Sequence, residues 1–146
     1  MKVLGIESSS LVASVALVTD DILTAEYTVN FKKTHSQTLL PMLDEIVKML
    51  GLDLETIDAI AAAGGPGSFT GLRIGAATAK GLGLALKKSL IHVPTVDAIA
   101  YNMWGDIRSY LPYYGRKKDA RYIQDCTTWK MELRRLWSSA LWIWEN

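Results

Sequence analysis

The residues best suited to hold a charged ligand lie in one run, Gly64-Gly65-Pro66-Gly67-Ser68-Phe69-Thr70-Gly71-Leu72-Arg73-Ile74-Gly75. A glycine-rich turn leading from strand into helix exposes backbone N–H groups, and such groups can cradle phosphate. The spacing fits none of the familiar motifs. A P-loop needs Lys and then Ser or Thr after its last glycine, but Leu72 and Arg73 follow Gly71. The dinucleotide fingerprint needs a third glycine where Thr70 stands. A nucleophile elbow needs glycine two residues either side of Ser68, and Pro66 and Thr70 occupy those places. The favoured reading is a tight turn with Ser68 or Thr70 capping the next helix. A phosphate cradle stays open as the alternative. Its contacts would be Gly65, Gly67 and Ser68, with Ser8 and Ser9 from the first turn of the chain.

The remaining candidates for chemistry are isolated. His35 opens a helical pattern, and a metal pair on a helix wants a second ligand three or four residues on. Those positions hold Thr38 and Leu39. His92 follows Leu90-Ile91 in a strand-like run and reads as a core or edge histidine. Cys126 is the only cysteine and has no histidine near it in sequence. No serine or threonine has a clear base partner, and no acidic pair stands out. The sequence therefore offers no self-contained catalytic set, no metal and no cofactor.

Composition sets the outer bounds. The chain has 146 residues, which suits one domain, and a net charge of +1, which gives no electrostatic case for binding nucleic acid unaided. One cysteine excludes an internal disulfide framework and suits a reducing compartment. The apolar start of the chain is broken by Glu7, unlike a signal peptide, and no stretch reaches membrane-spanning length. A cytoplasmic protein without membrane contact is the expectation.

The elements that must position these residues follow from periodicity. Residues 2–7, 12–18 and 22–31 have β character, with turns at Ser8-Ser9-Ser10 and Asp20-Asp21, and predict an antiparallel meander. Leu39, Leu40, Leu43, Ile46, Val47 and Leu50 recur at helical spacing and predict a helix over 35–50, capped by Thr34 or Ser36 and stopped by Gly51. Pro41 is expected in its first turns. Asp53 should cap a short turn, residues 59–63 read as a small buried strand, and 89–93 as another short strand. A second long helix is expected over 71–87, and Thr95 should cap a third. In the second helix Gly71, Gly75, Ala79 and Gly83 repeat every four residues. Each glycine at 71, 75, 81 and 83 costs about 1 kcal/mol against alanine, so close backbone packing is expected in return. Packing inside the chain and packing across a subunit interface both fit. Pattern alone supports an α/β domain with a mixed sheet.

Two segments carry a resemblance. His35-Ser36-x-x-Leu39-Leu40-Pro41 and Gly65 through Gly75 together look like the TsaB (YeaZ) family. Gly5-Ile6-Glu7-Ser8-Ser9 is similar to that family's first strand, which usually carries Asp at the position of Glu7. The resemblance covers residues 1–104. It implies the N-terminal subdomain of an actin-like ATPase (ribonuclease H-like) fold, a mixed sheet with flanking helices. It also implies a non-catalytic scaffold in threonylcarbamoyladenosine modification at position 37 of tRNA. Such a scaffold docks on a TsaD-like catalytic subunit, works with a TsaE-like ATPase, and meets tRNA only through the complex; a homodimer is the other possible assembly. The catalytic paralogue carries a His-x-x-x-His metal site where this chain has His35 and Leu39. The interface implied for this chain comprises Leu39, Leu40, Leu43, Ile46 and Val47 on one helix and Gly71, Arg73, Gly75, Ala76, Ala79 and Gly83 on the other. A nucleotide-binding enzyme of the same fold, a kinase or acyltransferase, is the alternative; a peptidase lacks the nucleophile and base it would need.

The chain changes character near Trp104. All five tryptophans lie at or beyond that residue, five of six arginines lie beyond Gly105, and only one of eleven glycines does. Residues 105–146 thus read as an atypical tail. The family's next strands are absent as written. Back-translation of 109–117 with a one-base shift admits V-I-C-P-I-M-D-A-R, and of 121–132 with a two-base shift V-Y-T-G-L-Y-N-L-E-N-G, both close to the family pattern. The expectation is a shifted frame near Gly105 and again near Lys118, with a genuine short extension as the competing reading.

Overall fold

The computed structural model describes residues 1–30 and 35–101, and the backbone of 113–115 and 121–123. Strands β1 (Lys2–Glu7), β2 (Ala13–Thr19) and β3 (Ile22–Val29) form the meander. Thr19 pairs with Ile22, so Asp20 and Asp21 alone make the β2–β3 turn, both at positive φ (47° and 65°). That is the backbone of a type I′ hairpin, whose twist matches that of its strands. Helix α1 (His35–Leu50), strand β4 (Ala59–Ala63), helix α2 (Phe69–Leu86), strand β5 (Ser89–Val93) and helix α3 (Thr95–Tyr101) follow. Strands β6 (Tyr113–Gly115) and β7 (Arg121–Ile123) form a separate antiparallel pair. The chain divides into two units, Met1–Thr95 and Val96–Asn146. Phe31, Thr34, Cys126 and the aromatic run 136–144 lie outside the described residues.

In the first unit the sheet order is β3-β2-β1-β4-β5. β1 runs antiparallel to β2 and parallel to β4, and β4 runs parallel to β5. This is the mixed sheet of the actin-like, ribonuclease H-like fold. A bulge between Leu17 and Val18 lets the outer strand β3 twist. Alternation fixes which side of the sheet meets the helices. Leu4 and Ile6 of β1, Ala13 and Val15 of β2 and Ile60 of β4 join Leu39, Met42, Leu43 and Ile46 of α1 and Ala79 of α2 in one core.

The helix ends follow from their residues. Gly51 takes positive φ (57°), and Leu52 N–H reaches the Val47 carbonyl at 2.9 Å, closing α1. Pro41 sits in the seventh position of α1, within its first two turns. The carbonyl it leaves without a helical donor belongs to Gln37 on the exposed side, where water can satisfy it. α2 starts two residues earlier than expected because Ser68 caps it, its side chain accepting from Gly71 N–H at 3.2 Å. At its other end Lys87 adopts the left-handed conformation (φ 55°) usually left to glycine.

Candidate functional site

The glycine loop joins the C-terminal end of β4 to α2, beside the turn that follows β1. Several of its polar groups hold it there. Ser68 N–H donates to the Ser9 carbonyl at 2.6 Å, and Gly64 N–H to that of Val93 at 2.8 Å. The Gly65 carbonyl accepts from Thr95 N–H at 2.7 Å. Ser9 N–H donates to Glu7 Oε1 at 2.5 Å. A Cβ on Gly67 would lie 2.5 Å from the Ser9 carbonyl oxygen, so only glycine lets the loop press this closely on the β1–β2 turn. Ser8 and Ser9 are buried. The five residues of the phosphate-cradle reading are therefore brought together, in a clamp between loop and turn with Ser68 serving as the helix cap.

Ser8 is the pivot of that clamp, and its packing role carried no sequence signal of its own. Its hydroxyl donates to the Gly71 carbonyl at 3.0 Å. A Cβ on Gly71 would overlap the Ser8 carbonyl oxygen, and one on Gly75 would overlap the Ser8 hydroxyl. Further along α2, a Cβ on Gly83 would come within 2.8 Å of Leu90 Cδ2. Gly71, Gly75, Ala79 and Gly83 are all buried within the chain. The small stripe thus meets the chain's own sheet and first turn. Leu39, Leu43 and Ile46 are likewise core residues, and Val47 packs against the core. Of the two packings the spacing allowed, the structure shows the one inside the chain for the stripe, and Leu39, Leu43 and Ile46 are turned inward rather than toward a partner.

The outward surface is made by other positions. Of the expected interface residues, Leu40 (52% exposed) and Arg73 are on it, and Ala76 is at its margin. The structure adds Phe69, Ala77, Lys80, Gly81 and Leu84 (84% exposed) on α2, and Asp44, Glu45, Lys48 and Met49 on α1. The Arg73 guanidinium lies 3.9 Å from the Phe69 ring centroid, which holds both side chains flat on the helix surface. The signal was legible in the spacing: 69, 73, 77, 80 and 84 follow helical periodicity opposite the small stripe. Gly81 differs from the other helical glycines, because a Cβ there would meet nothing within 4 Å. Asp44 and Lys48 form an ion pair one turn apart at 2.5 Å, which raises the Lys48 pKa.

His35 begins α1 with Nε2 2.8 Å from the Ser10 carbonyl oxygen, its ring against Gly71. Leu39, one turn on, is core. Among the described residues no group of three or more His, Cys, Asp or Glu side chains could hold a metal. His92 is exposed, and its imidazole fills the space a Cβ on Gly64 would need. Among the described residues no helix is long and apolar enough to cross a membrane.

Comparison with known proteins accords with this geometry. The family model described as TsaD, tRNA N6-adenosine threonylcarbamoyltransferase, matches residues 25–121. The chain is 38% identical over 104 residues to the tRNA threonylcarbamoyladenosine biosynthesis protein TsaB of Escherichia coli (strain K12), covering 71% of this chain and 45% of that protein. It is 32% identical over 102 residues to the TsaB of Bacillus subtilis (strain 168), covering 70% of this chain and 44% of the relative. The solved structure of YeaZ from Pseudomonas aeruginosa superposes with a TM-score of 0.77 at 27% identity, over 85% of this chain and 59% of that one. The chain thus spans less than half the length of those two TsaB relatives. With its mixed sheet, its glycine loop clamped on the first turn and these likenesses, the chain belongs to the TsaB/YeaZ family, within the wider group that the TsaD model describes.

Proposed function

We propose that this chain serves tRNA threonylcarbamoyladenosine modification as a non-catalytic subunit that docks on a TsaD-like catalytic subunit through the outward surface of α1 and α2. The observation that carries the reading is the pairing of a small-residue inner face with an outer one that leaves large apolar side chains among charged ones. Leu40, Phe69 and Leu84 stay exposed on the same two helices whose other faces build the core. Large apolar side chains left exposed along one helix pair support a protein contact surface there. Leu39 in the core, one turn after His35, suits a chain that supports catalysis in another subunit. Residues 1–104 form the docking subdomain in this reading, and residues 105–146 are a tail read from a shifted frame. A TsaE-like ATPase joins through the complex, tRNA is met only there, and the setting is the cytoplasm.

The test is association of the purified chain with a TsaD-like subunit, followed by calorimetry and by the yield of modified tRNA. Binding without ATP turnover by the chain alone is the expected result. ATP turnover with no association would favour the nucleotide-binding enzyme instead. Gly81→Leu gives the sharper arm. It adds a side chain where the fold leaves open space, so thermal stability should hold while partner affinity falls at least tenfold. Unchanged affinity would remove this face of α2 from the interface. The frame reading is tested separately, by sequencing the gene across codons 100–125 and weighing the intact protein.

A further inference from the structure

We draw no further inference here: the strongest candidate, the outer edge of strand β3 with Ile22, Leu23 and Tyr27 exposed, is an unpartnered apolar edge and nothing in the structure shows what covers it.

Discussion

Ser8 and Gly75 show how one hydroxyl can decide what a helix must be made of. The Ser8 hydroxyl occupies the space a Gly75 Cβ would take and bonds the Gly71 carbonyl one turn back. Gly75→Ala should therefore destabilise the fold by about 1–3 kcal/mol through overpacking. Ser8→Ala alone should cost about 1 kcal/mol for the lost hydrogen bond. In the double variant the methyl enters the vacated space, and the cost of Gly75→Ala should largely vanish. A urea-unfolding cycle over the four proteins measures this coupling; additive costs would mean the two positions do not share that space. At the end of the same helix, Lys87 is left-handed where glycine is at ease. Lys87→Gly should gain about 0.5–1 kcal/mol in the same assay, since relief of the backbone outweighs the added freedom of the unfolded chain.

At the scale of elements, the glycines of α2 divide into two kinds. Gly71, Gly75 and Gly83 meet backbone or side chains of the chain itself, whereas Gly81 faces open space. Gly81→Ala should stabilise the isolated chain by about 1 kcal/mol, whereas Gly83→Ala should destabilise it by pressing on Leu90; thermal melts of both variants check the contrast. The four-residue repeat made close packing legible in the sequence, but periodicity carries no label for what it packs against. The sheet lay beneath the stripe, and the surface available to a partner is the opposite side. The same limit applies to α1: the leucine spacing located the helix correctly, yet only the burial of Leu39 and Leu43 beside the exposure of Leu40 says which leucines are outward. The meander, both long helices and the Gly51 stop were readable because local chemistry determines them. The clamp was not, since it joins residues some sixty positions apart, Ser8 to Gly71 at 3.0 Å.

At the scale of the molecule, strand directions set the geometry of any partner. β3 and β4 both run parallel to β1, so α1 and α2, which follow them, return in the same direction over one face of the sheet. Glu45 is ten residues into α1 from His35, and Lys80 is eleven into α2 from Phe69. At about 1.5 Å of rise per residue both lie roughly 15 Å along their helices. The family model spans both helices, so a TsaD-like subunit has its own counterpart of this pair. If the two pairs meet about a two-fold axis along the helices, α1 faces the partner's α2, and acidic Glu45 lies level with that helix's counterpart of position 80. Lys80 then lies level with the partner's α1. Lys80→Glu should weaken association about five- to tenfold at low salt, and the loss should shrink as salt rises and screens the exposed charges. Calorimetry at about 50 mM and about 500 mM salt separates this from a packing defect, whose effect would be independent of salt. A salt-independent loss would retain the surface and reject the α1-on-α2 pairing. No loss at either salt would place Lys80 outside the contact, and Gly81→Leu then decides whether α2 takes part.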